Sequence, residues 1–343
     1  MKLQFFARSP QERADVIREV AARRNISAVL VEKDLWVSWM LAVLFAHPQF
    51  RDQLVFKGGT SLSKVFGVID RFSEDIDLSV NPEFVGIRER WIEDADSRSK
   101  RTERMKQLET ACTETVRERI APELERVADD ALGTSANGKN WMEFQVDDDT
   151  HSPVVLFHYP SNEATGFEYL RRSIKMEFGS LTDQSPVGKH SIRPWIGEEF
   201  PAVFSDFQCD VIALELERSF WEKATILHAE YHRDQTKPIR DRFSRHYSDT
   251  AAIAKHGEIT AALANEELRQ HVADWKSRFF PSSWAHYETA KPGSFHLVPP
   301  DFRLAELERD YREMQPMFLK DPPEFASVLS VLSDLERKIN QSR

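Results

Sequence analysis

A chain of 343 residues, 41% hydrophobic and 30% charged, has material for two domains and an ample soluble core. Its formal net charge of −10 excludes a generally basic nucleic-acid coat, though not a local basic groove. Cys112 and Cys209 give no disulfide framework and suit a reducing cytoplasm; the start, Met1 to Ala7, is too short for a signal peptide, and the longest apolar run, Leu35 to Ala46, is too short to span a bilayer.

Ser9-Pro10-Gln11-Glu12 is a capping box with proline at the first helical position, so a helix is expected from there to about Arg24. A second should run from about Ser27 to Ala46. In it Trp36, Trp39, Met40 and Val43 sit at helical spacing and read as core rather than as a ligand cage. Gln53-Leu54-Val55-Phe56 reads as a short buried strand. Gly58-Gly59 then turns the chain, and Thr60 is expected to N-cap a helix to about Gly67. Glycines let a backbone approach a phosphate closely, and a helix start offers free N–H groups and partial positive charge. Lys57, Lys64 and Arg71 add cations suited to a triphosphate tail. This is not a Walker loop, because no lysine follows the second glycine in the required order.

Asp75-Ile76-Asp77-Leu78-Ser79-Val80 alternates polar and apolar residues. As a strand it sends Ile76, Leu78 and Val80 to a core and sets Asp75 and Asp77 side by side on the other face. Adjacent carboxylates repel unless a cation lies between them. Magnesium is the expected ion, since it favours carboxylate and phosphate oxygens. Asp-x-Asp alone is common on exposed strands, and Gly-Gly alone is usually a turn. The signal is the two in this order and spacing.

From about Pro82 to Leu132 the chain is charged and helical, with a stripe of Met105, Leu108, Cys112, Val116 and Ile120, and Pro122 breaks the run and starts another helix. A loop is expected over 133–139. Strands return at 154–159 and 174–178. In the latter, Ile174, Met176 and Phe178 share one face, and Lys175 and Glu177 the other. The run Asp147-Asp148-Asp149 reads as a solvated loop. A loop-rich stretch follows from Gly179 to about Phe207, with prolines at 186, 194 and 201, and a domain boundary is placed near it, giving domains 1–200 and 201–343.

Beyond it the pattern is helical, with Leu216, Phe220, Ala224, Leu227 and Tyr231 on one stripe. His228 and His232 lie four apart, but the zinc-protease motif needs glutamate directly after the first histidine, and here Glu230 is third. Lys223, Arg233, Lys237, Arg240, Arg242 and Arg245 outnumber the nearby acids, which suits either a groove for an RNA acceptor or an ordinary salt-bridged surface. From about Glu258 the chain is again helical, with a break at Pro299-Pro300.

Phe56-Lys57-Gly58-Gly59-Thr60-Ser61-Leu62-Ser63-Lys64, with Arg71-Phe72-Ser73-Glu74-Asp75-Ile76-Asp77-Leu78, resembles the glycine turn and Asp-x-Asp strand of polymerase-β-type nucleotidyltransferases. Within them it is most similar to the AbiEii/AbiGii-type toxins of bacterial toxin–antitoxin and phage-defence systems. Val31-Glu32-Lys33-Asp34-Leu35-Trp36-Val37 is similar to a segment those proteins carry upstream. The resemblance covers most of the chain and is sharpest between Glu32 and Asp77. It implies an α+β fold: a polymerase-β-like domain, with a small mixed sheet flanked by helices, and a mainly helical C-terminal domain contributing to the active-site cleft. It implies transfer of an NMP from an NTP to an RNA acceptor, with a tRNA 3′ end as one candidate, and a cognate antitoxin.

The resemblance also assigns residues. Asp75 and Asp77 would hold two magnesium ions, with Glu177 either a third carboxylate ligand or a surface glutamate. Gly58, Gly59 and Thr60 would hold the β- and γ-phosphates, helped by Ser73. Lys223, in Phe220-Trp221-Glu222-Lys223-Ala224, matches the family's catalytic lysine. Asp249 matches a functional aspartate, although His246 stands where an acid is usual. Bland alternatives are a solvated lysine and an N-cap or ion-pair aspartate. A competing enzyme reading changes the acceptor to a protein or small molecule. A third is a catalytically inactive nucleotide-binding regulator, which the intact Asp75/Asp77 pair opposes.

Overall fold

The computed structural model describes residues 4–88, 90–134, 140–161, 172–205, 207–257 and 259–341. The chain forms two compact units, Met1–Val65 with Glu74–Ala213, and Phe66–Ser73 with Leu214–Arg343.

In the first unit, α1 (Pro10–Arg24) starts on the expected capping box: Ser9 accepts from the Glu12 amide and the Glu12 carboxylate accepts from the Ser9 amide. It ends at Asn25, whose left-handed backbone (φ 53°) closes the helix. α2 (Ala28–Ala46) is buried on every side from Val31 to Phe45, as its almost unbroken apolar sequence requires. Trp36 stacks on Tyr159 at 5.7 Å and Trp39 lies 5.3 Å from Phe157, so these tryptophans are core.

Next come β1 (Leu54–Lys57), α3 (Gly58–Lys64) and β2 (Ile76–Val80). α4 (Arg98–Thr115) continues through a π turn at Val116–Ile120 into α5 (Ala121–Leu132). Pro122 thus stands in the first turn of a new helix, as expected, and the π turn leads into it without an intervening loop. Of the loop expected over 133–139, residues 135–139 lie outside those described.

Four strands complete a seven-stranded mixed sheet: β3 (Met142–Val146), β4 (Pro153–Phe157), β5 (Ile174–Gly179) and β6 (Val187–Ile192), with β7 (Cys209–Leu214) joining after α6 (Trp195–Glu199). The order is β3-β4-β5-β2-β1-β7-β6. The expected α+β class holds, with the sheet packed against helices. The stretch 179–207 is not the loop that was expected, since it contains β6 and α6. β6 is an edge strand of sequence Val-Gly-Lys-His-Ser-Ile with only Ile192 buried, so it carries little hydrophobic signal. β7 likewise occupies residues where helix was expected.

The second unit is mainly helical: α7 (Leu216–Tyr231), α8 (Ser244–Ala254), α9 (Ile259–Ala264), α10 (Glu266–Phe279), α11 (Asp301–Met314) and α12 (Phe325–Gln341). α8 packs against α7, α11 and α12. Residues 66–73 join this unit through backbone bonds, Phe72 N–H to the Met317 carbonyl at 2.7 Å and Leu319 N–H to the Asp70 carbonyl at 2.8 Å. Among the described residues no helix is long and apolar enough to cross a membrane.

Candidate functional site

β1 and β2 run antiparallel with Lys57 opposite Asp77, so the glycine turn at the end of β1 meets the acidic strand directly. Gly58 has φ +82°, and a Cβ added there would lie 1.9 Å from Asp77 Oδ2. Only glycine fits, for its backbone angle and for the carboxylate against it. Thr60 does not cap α3. The N-cap is Lys57, without a side-chain cap bond, and the buried Thr60 hydroxyl donates to the Asp75 carbonyl. Thr60 therefore ties the glycine turn to the residue before β2. Ser61 Oγ–H donates to the Gly58 carbonyl at 3.0 Å.

β2 buries Ile76, Leu78 and Val80 and leaves Asp77 half-buried, as alternation requires. Burial, then the Asp77 and Glu74 carboxylates, push Asp75 up to about 6, while Lys175 and Lys33 draw it back. β5 pairs in parallel with β2 and sets Glu177 beside Asp77. Glu177, however, accepts from Lys175 Nζ at 3.0 Å. The same ammonium reaches Asp147 Oδ2 at 3.0 Å. Amides of Thr150 and Asp149 hold Asp147 at 3.0 and 3.1 Å, and its carboxyl falls to about 2, through the Thr150 amide first and with help from Lys175. Among the described residues, no group of three or more His, Cys, Asp or Glu side chains is arranged to hold a metal ion. Asp75 and Asp77 fit one as a pair, since their mutual repulsion is what a divalent cation relieves.

Three consecutive charged residues of α2 are buried, and sequence reasoning gave them no role. Glu32 accepts from Ser161 Oγ at 2.6 Å, Lys33 pairs with Glu74, and Asp34 accepts from Lys64 Nζ at 2.6 Å and the Trp195 amide at 2.7 Å. Lys64 also donates to the Arg193 carbonyl at 2.8 Å. Lys64, expected at a phosphate, is held here by Asp34 and the Arg193 carbonyl. The signal was present in the sequence, as charges inside an apolar helix have to be paired.

The second unit holds a separate cluster. Arg71 grips Asp249 with two hydrogen bonds of 2.7 Å, and Lys223 Nζ donates to Asp249 Oδ2 at 2.8 Å. Asp249 and Arg71 are buried and Lys223 nearly so. Burial alone would raise the Asp249 carboxyl, yet Arg71 and Lys223 hold it well below the usual carboxylate range. Burial, with Arg71 nearby, lowers the Lys223 ammonium despite Asp249. Burial, then Lys223 and Arg245, keeps His246 neutral. Arg71, expected to bind nucleotide, is here the partner of Asp249, and Ser73 lies half-buried in the same unit. His228 Nε2 lies 3.1 Å from both the His286 carbonyl and Thr289 Oγ1, and burial first lowers its pKa to about 4.

Residues 39–333 match the family model described as nucleotidyl transferase AbiEii toxin, type IV toxin–antitoxin system. Among solved structures the chain is similar to MenT4, a nucleotidyltransferase toxin from Mycobacterium tuberculosis H37Rv. The two share 16% identity with a TM-score of 0.42, over 94% of this chain and 96% of that one. No curated protein matches the sequence.

Proposed function

The chain belongs to the AbiEii family of nucleotidyl transferase toxins of type IV toxin–antitoxin systems, and on that premise we propose that it moves a nucleoside monophosphate from an NTP to an RNA acceptor, with magnesium held by Asp75 and Asp77. Support comes above all from Gly58, whose backbone is packed against the Asp77 carboxylate. That contact joins a phosphate-cradling turn to a cation-binding pair.

An acceptor hydroxyl bonds through its oxygen to the α-phosphorus and gives up its proton to a base, with Glu177 or water as candidates, while the bond from the α-phosphorus to the α–β bridging oxygen breaks and pyrophosphate leaves with that oxygen. A bound divalent ion would supply charge neutralisation on the phosphoryl oxygens. The rest falls to the chain's own groups. Backbone amides at Gly58, Gly59 and Thr60 bind the β- and γ-phosphates, with Lys57 and Ser73 assisting. Lys223 stabilises triphosphate or transition-state charge, and Asp249 orients it. Lys64 and Arg71 act through Asp34 and Asp249 rather than on the nucleotide. The partner is a cognate antitoxin. Two free cysteines suit a reducing cytoplasm, and phage defence is a setting the family implies.

Incubation with each labelled NTP, magnesium, total RNA and lysate protein tests this. Label on RNA that disappears in Asp75→Ala is expected, with tRNA 3′ ends examined first. Label on protein instead, also lost in Asp75→Ala, would replace the RNA acceptor with a protein hydroxyl.

A further inference from the structure

Lys175 lies within reach of the acidic face without a role in the chemistry above. β5 alternates, burying Ile174, Met176 and Phe178 and leaving Lys175 and Glu177 half-buried. Glu177 is the register partner of Asp77 on β2. Lys175 is two residues earlier on the same face, alongside Asp75, whose carboxylate feels its charge. The ammonium is fixed between two carboxylates, 3.0 Å from Glu177 Oε2 and 3.0 Å from Asp147 Oδ2. It has little freedom to leave. Asp147 is itself tied down by two backbone amides in the turn between β3 and β4, and pairing of Leu156 with Lys175 fixes the lysine backbone.

We propose that Lys175 is an internal counter-cation that claims Glu177, so that the nucleotide-free site takes one divalent cation, on Asp75 and Asp77, rather than two. This rests on the assignment of Asp75 and Asp77 as the metal-holding pair. The physical reason is competition for charge. A second divalent ion has to share Glu177 with an ammonium already at hydrogen-bond distance, and like charges that close repel strongly in a partly desolvated site. Lys175 is thus a positioning and selectivity residue. It holds the third carboxylate off the metal and leaves the cation to Asp75 and Asp77.

Manganese titration of the nucleotide-free full-length chain, with free Mn2+ followed by electron paramagnetic resonance, reads this without any assay of activity. Wild type should bind one Mn2+ per chain, and Asp77→Asn should abolish it. Lys175→Met keeps the aliphatic stem and releases Glu177, and a second Mn2+, or at least roughly tenfold tighter binding, is expected. Lys175→Met/Glu177→Gln should revert to one. Should Lys175→Met fold poorly, Asp147→Asn loosens the same clamp and should tighten Mn2+ binding severalfold. Unchanged stoichiometry and affinity in the clamp variants would overturn the role of Lys175, as would weakened binding in Glu177→Gln alone. Persistent binding in Asp77→Asn would instead overturn the metal assignment beneath it, and the Lys175 role with it.

Discussion

Gly58→Ala is the sharpest perturbation of the candidate site. The added Cβ would sit 1.9 Å from Asp77 Oδ2 and 2.7 Å from its Cγ, against at least 3.4 Å for ordinary contact. The carboxylate therefore has to retreat by about 1.5 Å, the difference between 3.4 and 1.9 Å. The residue also has φ +82°, where an alanine costs about 1–2 kcal/mol. Strain of that size lowers the melting temperature by about 1–3 °C in a protein of this size. A displaced ligand matters more, because a misplacement of about 1 Å at a reacting centre costs about 100-fold. Gly67→Ala separates the two effects: its φ is +62° and nothing lies within 4 Å of an added Cβ. Thermal melting should show similar losses for both variants. NTP-dependent labelling should fall about 100-fold for Gly58→Ala and stay within about twofold for Gly67→Ala. Labelling by Gly58→Ala within about threefold of wild type would refute a role for this contact in positioning Asp77.

Asp75 gives a pH prediction. Its carboxyl is raised to about 6, so the stability it contributes is full below the unfolded value near about 3.9 and is lost as pH rises through 6. Saturating magnesium should therefore raise the melting temperature more at pH 7.5 than at pH 5, and an equal or reversed difference would exclude Asp75 as a ligand. Asp249→Asn leaves Arg71 and Lys223 buried without their anion and should cost about 3–5 kcal/mol in urea unfolding, whereas Arg71→Lys, which loses one arm of the fork, should cost less. Equal stabilities for wild type and Asp249→Asn would show the cluster to be energetically idle. Lys223→Ala should lower kcat about 100-fold or more; a loss under threefold in the labelling assay would leave Lys223 as a counter-ion of Asp249 alone.

What the sequence determined by itself was local. Ser9 and Glu12 mark the start of α1 because both halves of a capping box lie within one turn. Ile76, Leu78 and Val80 alternate with Asp77 because a strand has a period of two, and the glycine pair just after β1 marks a turn from equally short-range information. The family, too, was legible in those motifs. Strands β6 and β7 were not: β6 is an edge strand of mixed polarity with no periodicity to read, and β7, inside the sheet, is a short run that periodicity alone does not tell from a helix segment.

Tertiary structure alone decided which charge meets which. Thr60 looked like an N-cap, yet its hydroxyl serves the Asp75 carbonyl fifteen residues on. Lys64 and Arg71 looked like phosphate ligands, but burial obliges each to find an acid, Asp34 and Asp249 respectively. Lys175 and Asp147 are brought together by the pairing of β3, β4 and β5. Ion-pair partners carry no sequence spacing. They are chosen by whichever carboxylate the fold leaves within reach once both groups have lost their water.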